Sequence, residues 1–262
     1  MVGVIPGLDP EDPALANGVA HLYSGGADSS LAACRLGQVF PKVYLNTFDR
    51  LGFLALRFPE VHSERILRRF PRTRFIHHTL PASRFYDSVE AHRYWPLLRK
   101  YGFLALNSCG HCKLALHWRN LIFCLQNGVR YASDGAVVGA EEFAEQNPRI
   151  LMRELEDLYV RFGIRLLHPV YEEGLSTEDA LHELGITQQR RIKMTTRDHQ
   201  VVCTQHLLFG MMMRVVLSRR TFREYEDEAR ACLREKVEHI RARTEEFLAR
   251  PGEDTLVARI LR

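Results

Sequence analysis

The chain has 262 residues, of which 46% are hydrophobic and 26% are charged, and its formal net charge is +4. This composition is typical of globular proteins, and the length suffices for one large domain or for one domain with an appendage. No apolar run approaches a membrane span, and the first residues lack the basic region and apolar core of a signal peptide, which predicts a cytoplasmic protein without a membrane partner. The net charge is too mild to argue strongly for a nucleic-acid partner.

A glycine turn lies between the first predicted strand and the first predicted helix. Asp-Pro pairs before it indicate a leader that packs on the domain. Residues 19–23 are apolar and predict a buried strand, and a helix is expected from Leu31. Between them, Gly25 and Gly26 let the backbone turn sharply and approach a ligand closely. The order of strand, glycine turn and helix indicates a phosphate-binding loop.

The polar residues of this turn are candidate ligands for a nucleotide. Ser29 and Ser30 are expected to cap the helix, whose first N–H groups and positive dipole end favour an anion. Ser24 and Ser29 add hydroxyl donors, and Asp28 can hold a magnesium ion or orient the phosphates. A Walker loop is excluded because its Gly-Lys-Ser/Thr ending is absent.

Strands and helices alternate along most of the chain, which predicts an α/β fold with a doubly wound parallel sheet and a helical C-terminal extension. We expect a nucleotide-binding domain at residues 1–170 and a mostly helical region at residues 171–262. Further strands are expected at residues 42–47, 74–78, 129–133 and 164–167. Helices are expected from Ser63 to Arg69, from Ser83 to about Ala105 with an interruption at Pro96, from Leu114 to Asn127, from Pro148, and after a cap at Ser176 to Gly185.

The residues at the end of the second strand are candidates for contact with the base of the nucleotide. Ligands of such sheets bind beyond the carboxyl ends of the strands. Asn46, Thr47 and Phe48 are therefore expected near the adenine.

Thr221 and Glu224 form a capping box that opens a long charged helix to about Arg250. Its apolar positions form one narrow stripe, which predicts either a helix folded onto its own domain or a homodimer contact. The stripe consists of Phe222, Tyr225, Ala229, Leu233, Val237, Ile240, Thr244 and Phe247.

A basic stretch at residues 190–197 is a candidate for holding an anionic group of the substrate.

The six cysteines are not expected to form a disulfide framework in a cytoplasmic chain of this size. Cys109 and Cys112 open a helix at a spacing that lets both sulfurs reach one metal centre, and the helix end favours their anionic form. Two ligands are too few, and Cys203, in a loop-like region, is the best candidate for a third. The other cysteines, Cys34, Cys124 and Cys232, lie in helical apolar patterns and are expected to be buried thiols.

Residues 24–29, Ser-Gly-Gly-Ala-Asp-Ser, resemble the PP-loop of the ATP pyrophosphatase superfamily, the adenine nucleotide alpha hydrolase-like proteins with a HUP-like sheet. Members of this superfamily cut ATP between the α- and β-phosphates and pass AMP to a substrate carbonyl. With Cys109 to Lys113, the Asp134-Gly135 pair and Cys203, the chain also resembles the iron–sulfur-dependent sulfur-inserting enzymes. These are the nickel-pincer cofactor sulfurtransferases and the tRNA thiolation groups.

The resemblance implies that Cys109, Cys112 and Cys203 hold a 4Fe–4S cluster whose fourth iron is left to bind sulfide. In other members a single late cysteine gives up its own sulfur, which is the alternative role of Cys203. Zinc is the alternative metal, and a histidine would then complete the site. The nearby histidines are His111, His117, His199 and His206.

The resemblance also assigns roles to three charged residues. Lys113 would lie near the phosphates and stabilise developing negative charge. Asp134 would be a positioning acid or a proton acceptor at a strand end. Asp28 would serve the magnesium ion.

The function expected from these residues is ATP-dependent sulfur insertion into a carbonyl group, with sulfide or a cysteine desulfurase as the sulfur donor. A small molecule or a nucleobase is favoured as the acceptor because no RNA-binding module is visible, and tRNA is the alternative. ATP-dependent amidation by ammonia is a second hypothesis. A degenerate nucleotide-binding module is a third, against which the intact turn at residues 24–29 argues.

Overall fold

The structure of the protein is a computed structural model. It describes residues 5, 8–54, 56, 58–138, 144–172, 177–187, 202–203 and 222–262. Several predicted features lie outside the described residues, namely the cap at Ser176, the basic stretch at residues 190–197, and His199, His206 and Thr221.

The described strands form one large sheet and one small one. The strands are β1 (Val19–Leu22), β2 (Lys42–Asp49), β3 (Phe53–Leu54), β4 (Arg74–Pro81), β5 (Tyr131–Ser133), β6 (Arg165–Leu167) and β7 (Val202–Cys203). Five of them form a sheet in the order β4-β2-β1-β5-β6, and every pairing in it is parallel. The small sheet pairs β3 with β7 in antiparallel fashion.

Helices connect the parallel strands and continue beyond them. They are α1 (Ala27–Val39), α2 (Phe58–Arg69), α3 (Ser83–Ala91), α4 (Tyr94–Tyr101), α5 (Ser108–Asn127), α6 (Arg153–Arg161), α7 (Thr177–Glu183), α8 (Glu226–Ala249) and α9 (Leu256–Leu261). Short 3-10 helices cover Pro13–Asn17, Gly102–Leu106 and Phe222–Tyr225, and a π-helical turn covers Pro148–Met152.

Alternate residues of the strands enter two separate cores, one on each face of the sheet. Val19 and Val43 pack with α1 and α7, whereas Ala20 and Ala132 pack with α3, α5, α6 and α8. A parallel sheet covered on both faces is a doubly wound α/β fold, which confirms the predicted fold class. The predicted thiols Cys34, Cys124 and Cys232 are all fully buried, as expected.

Two predicted helix boundaries are wrong, for local reasons. Ser63 does not cap a helix, because α2 already begins at Phe58, and the Ser63 hydroxyl donates to the Glu60 carbonyl within it. Pro96 does not interrupt a helix, because it lies in the first turn of α4, where its missing N–H costs nothing. The break lies instead at Arg93, whose φ of 49° is left-handed.

The long C-terminal helix α8 folds onto its own domain, which is the first of the two predicted alternatives. Ala229, Leu233 and Ile240 of the predicted stripe are buried in the same core as α5. The Trp118 indole of α5 donates to the Thr244 hydroxyl over 3.0 Å. A homodimer would have to use another face of this helix, and it stays a prediction, as does the division of the chain near residue 170.

Within the described ranges, no helix combines the length and the apolar character needed to cross a membrane.

Candidate active site

The predicted phosphate loop joins β1 to α1 at the carboxyl edge of the sheet. Gly25 has a left-handed φ of 76°, and a Cβ placed there would lie 2.8 Å from the Cα of Pro59. The His62 ring nitrogen Nδ1 lies 2.7 Å from the Gly25 carbonyl oxygen. Helix α2 therefore braces the loop, and only glycine fits at the point of contact.

The serine hydroxyls close the loop on itself rather than cap the helix. The Ser29 hydroxyl donates to the Gly26 carbonyl and lies 3.0 Å from the Ser24 hydroxyl. The Ser30 side chain is fully buried, beside the Tyr23 hydroxyl. Capping by Ser29 and Ser30 is thus wrong: α1 begins after Gly26, and no side chain of the described residues caps it. Its first N–H groups remain available to an anion, as the loop prediction requires.

Asp28 lies in the first turn of α1 and is held from the C-terminal part of the chain. The Thr177 hydroxyl, on α7, donates to Asp28 Oδ1 over 2.7 Å. Burial raises the pKa of Asp28, and the hydrogen bond from Thr177 opposes that rise. Thr177 carries no motif, so sequence reasoning did not single it out.

A cleft of about 390 Å³ opens beside the loop and gathers most of the predicted site residues. Its walls come from the loop, the start of α5, the end of β5 and the small β3–β7 sheet. The predicted residues that line it are Ser24, Gly26, Asp28, Ser29, Cys109, Cys112, Lys113, Asp134 and Cys203.

Two separate elements bring the three cysteines to this cleft. Cys109 and Cys112 lie in the first turn of α5, where the Asn107 side chain accepts from the Gly110 N–H as the N-cap. Cys203 arrives on β7, directly opposite Phe53 of β3. The antiparallel pair therefore carries the third thiol to the cleft that the other two face.

Arg50 lies among these thiols, and sequence reasoning missed it. The residue is 2% exposed, and its guanidinium lies over the rings of Phe53, at 4.6 Å, and Tyr86, at 4.5 Å. Its Nη2 donates to the Cys203 sulfur over 3.5 Å, and its charge also acts on Cys112. A buried cation at this position compensates the negative charge of thiolates or of a bound anion.

Burial opposes the effect that is expected of the helix end on these two thiols. Burial raises the pKa of Cys109, and it raises the pKa of Cys112 to about 12, against a lowering effect of Arg50. A metal bound to these thiols would displace their protons.

Three thiols at one cleft can serve an iron–sulfur cluster, and with a fourth ligand they can serve zinc. Among the residues that the structure describes, no three His, Cys, Asp or Glu side chains are grouped closely enough to hold a single ion. His111 is buried, and neither of its ring nitrogens has a hydrogen-bond partner among the described residues.

Asp134 directly follows β5, and its carboxylate lies close to three basic side chains. The Lys113 Nζ lies 3.2 Å from Asp134 Oδ2, and the His117 Nε2 lies 3.5 Å from the same oxygen. His168 Nδ1 lies 2.6 Å from the other oxygen, Oδ1. Burial alone would raise the pKa of Asp134, but the charges of His168 and Lys113 hold it well below its usual range.

Gly135, the residue after Asp134, lets this part of the chain approach the glycine loop closely. A Cβ at Gly135 would lie 2.8 Å from the backbone nitrogen of Ser29, so only glycine allows this close approach. His21, which is fully buried, lies between Ser133 and Ser29, with ring nitrogens 3.1 Å from the Ser133 hydroxyl and 2.9 Å from the Ser29 carbonyl. The glycine loop and Asp134 are therefore held together as one unit.

The structure does not bring Asn46 and Thr47 to the cleft. Both lie inside β2 and are almost fully buried. The Asn46 amide donates to Asn120, and the Thr47 hydroxyl donates to the Tyr23 carbonyl. Strand β2 continues to Asp49, two residues beyond the predicted end at Thr47. Asn46 and Thr47 therefore lie within the strand, and their side chains are buried in the interior. Their contact with adenine stays a prediction.

Searches of protein-family models and of curated proteins found no match. Among solved structures, the chain is similar to the U34-tRNA thiolase NcsA from Methanococcus maripaludis with its [4Fe-4S] cluster. The TM-score is 0.44 at 9% sequence identity, and the match covers 86% of this chain and 72% of that one. At this TM-score and identity the similarity describes shape only, and it assigns neither substrate nor cofactor to this chain.

Proposed function

We propose that this protein is an ATP-dependent sulfur-inserting enzyme of the PP-loop type. The observation that carries the proposal is the single cleft in which a glycine loop, three cysteines and the Lys113–Asp134 ion pair meet. The glycine loop and the N-terminal end of α1 can bind the phosphates of ATP. The three thiols can bind the soft metals that are used in sulfur chemistry. A cleft built for nucleotide binding alone would not need the thiols.

The chemistry follows from these groups. The N–H groups at the start of α1 and the ammonium of Lys113 would bind the phosphates, and Asp28 would hold a magnesium ion. The carbonyl oxygen of the acceptor attacks the α-phosphorus, and pyrophosphate leaves. A sulfur nucleophile then attacks the activated carbon, and AMP leaves with the former carbonyl oxygen.

The cysteines would bind the group that carries the sulfur for the reaction. Cys109, Cys112 and Cys203 would hold a 4Fe–4S cluster, which when bound offers an iron that can carry sulfide. Arg50 contacts the Cys203 sulfur, and its positive charge would compensate the charge of the thiolates. The acceptor is a small molecule or a nucleobase, with tRNA as the alternative, and the donor is sulfide or a cysteine desulfurase.

The products of ATP test the proposal. We expect phosphorus NMR to detect AMP and pyrophosphate in equal amounts when the protein is incubated with ATP, magnesium, sulfide and a cell extract as the source of acceptors. Formation of ADP and phosphate would show cleavage at the other bond and would contradict the PP-loop assignment. No turnover with any acceptor would favour the nucleotide-binding module over the enzyme.

A further inference from the structure

A line of ionisable side chains leads from the cleft to the protein surface. Asp134 Oδ2 contacts Lys113 in the cleft, and Oδ1 lies 2.6 Å from His168 Nδ1. The opposite ring nitrogen of His168, Nε2, lies 3.3 Å from Glu156 Oε1. The His168 side chain is 11% exposed, whereas that of Glu156 is 45% exposed. The proposed function uses Asp134 and Lys113 and leaves His168 and Glu156 without a role.

The topology of the sheet holds this arrangement in place. Ser133 and Leu167 are paired at the ends of the neighbouring parallel strands β5 and β6. The next residues along the two strands are Asp134 and His168, and the Asp134 N–H donates to the Leu167 carbonyl over 3.2 Å. Two adjacent strand ends therefore put the imidazole beside the carboxylate without help from a loop.

His168 is held as an imidazolium between two carboxylates. Burial alone would lower its pKa, but the charge and hydrogen bond of Asp134 and the contact with Glu156 raise the pKa of His168 to about 9, against the opposing charge of Lys113. These three groups lie after β5, on α6 and on α5, and His117, also on α5, faces Asp134 Oδ2 and interacts with the charge of His168. In this state the Nδ1–H donates to Asp134, and the Nε2 side of the ring lies within ion-pair distance of Glu156.

We propose that His168 is a positioning residue for the Asp134–Lys113 pair, and that Glu156 holds the outer side of its ring. The imidazolium fixes Oδ1 and thereby points Oδ2 at Lys113 and the cleft. It also keeps Asp134 ionised, so that Lys113 stays oriented in the cleft where the phosphates of ATP would bind. This inference rests on the proposed function, because the reaction that His168 would support is the proposed one. The contacts of His168 with Asp134 and Glu156 do not depend on that function.

The protonation state of His168 is the first test, and it needs no activity. Nitrogen NMR of the full chain, with the His168→Gln spectrum subtracted to assign the ring, is expected to show an imidazolium at pH 7.5. In Asp134→Asn the same ring is expected to be neutral at that pH. A neutral ring in the wild-type protein would overturn the proposal.

Kinetics separate positioning from a merely structural contact. His168→Gln keeps a hydrogen-bond donor but no charge, and we expect it to lower kcat for AMP formation about 10- to 100-fold while the KM for ATP changes little. His168→Arg keeps the charge and is expected to recover most of the rate. Equal rates for the two variants would overturn the proposal, as would a wild-type rate for His168→Gln.

The pH dependence gives a further readout. Because the pKa of His168 is raised above 6.5, the stability from its ion pair is fully present below that value and is lost as the pH rises through about 9. The kcat of the wild type is expected to fall over the same interval, and Glu156→Gln is expected to move that fall to lower pH. If the wild type formed no AMP at all, the proposed function would fail, and the imidazole spectra would still decide the role of His168.

Discussion

Replacing Asp28 with alanine is expected to lower the rate of AMP formation by about 100-fold or more while the fold stays intact. The carboxylate lies in the first turn of α1 at the wall of the cleft, where magnesium and the phosphates of ATP would bind. The Thr177 hydroxyl donates to this carboxylate and can turn to another acceptor when the carboxylate is removed. The loss is therefore expected in catalysis and not in stability, as measured by AMP release and by thermal unfolding.

Asp179→Ala is the matched control for this variant. Asp179 is an exposed carboxylate on α7, the helix that carries Thr177. We expect its removal to leave AMP release unchanged. An Asp28→Ala protein that is folded and still releases AMP at the wild-type rate would remove Asp28 from the nucleotide site.

Replacing Cys112 with alanine is expected to lower the iron content and the sulfur transfer together. The anaerobically prepared wild type should be brown and carry about four irons per chain, as a 4Fe–4S cluster requires. Cys112 is one of the three thiols at the cleft, and its loss leaves two ligands. The measurement is iron and acid-labile sulfide per chain, alongside the visible absorption spectrum.

Cys124→Ala is the matched control, because Cys124 lies on the same helix but is fully buried in the core. It is expected to cost some stability and to leave the iron content unchanged. If Cys203 instead gives up its own sulfur, Cys203→Ala alone should stop the reaction, and the wild type should turn over once. A colourless protein that keeps one zinc in air would contradict the cluster.

The phosphate loop and the sheet are predictable from the sequence because their signals are local. Gly25 and Gly26 follow an apolar strand and precede a helix, and that order alone specifies the turn. The spacing of Cys109 and Cys112 at a helix start is likewise visible in one turn of sequence. Asp28 lies in the glycine turn itself, whereas Lys113 and Asp134 are expected at the site because of the resemblance to the sulfur-inserting enzymes.

The remaining parts of the site depend on contacts between distant segments. Cys203 reaches the cleft through a two-residue strand opposite Phe53, which is too short to leave a periodic pattern. Arg50 and His168 belong to no motif, and only the folded chain places them beside Cys203 and Asp134. Propensity predicts serine caps here, yet the Ser29 hydroxyl donates to the Gly26 carbonyl within the loop.

The destination of the sulfur atom tests the central claim most directly. Anaerobically prepared protein would be given ATP, magnesium, radioactive sulfide and nitrogen-15 ammonium together, with the RNA and small-molecule fractions of a cell extract as separate acceptors. We predict that labelled sulfur enters one fraction only when ATP is present, with one AMP formed for each sulfur. Entry of the ammonium nitrogen in its place, again with one AMP for each nitrogen, would mean amidation and would contradict sulfur insertion.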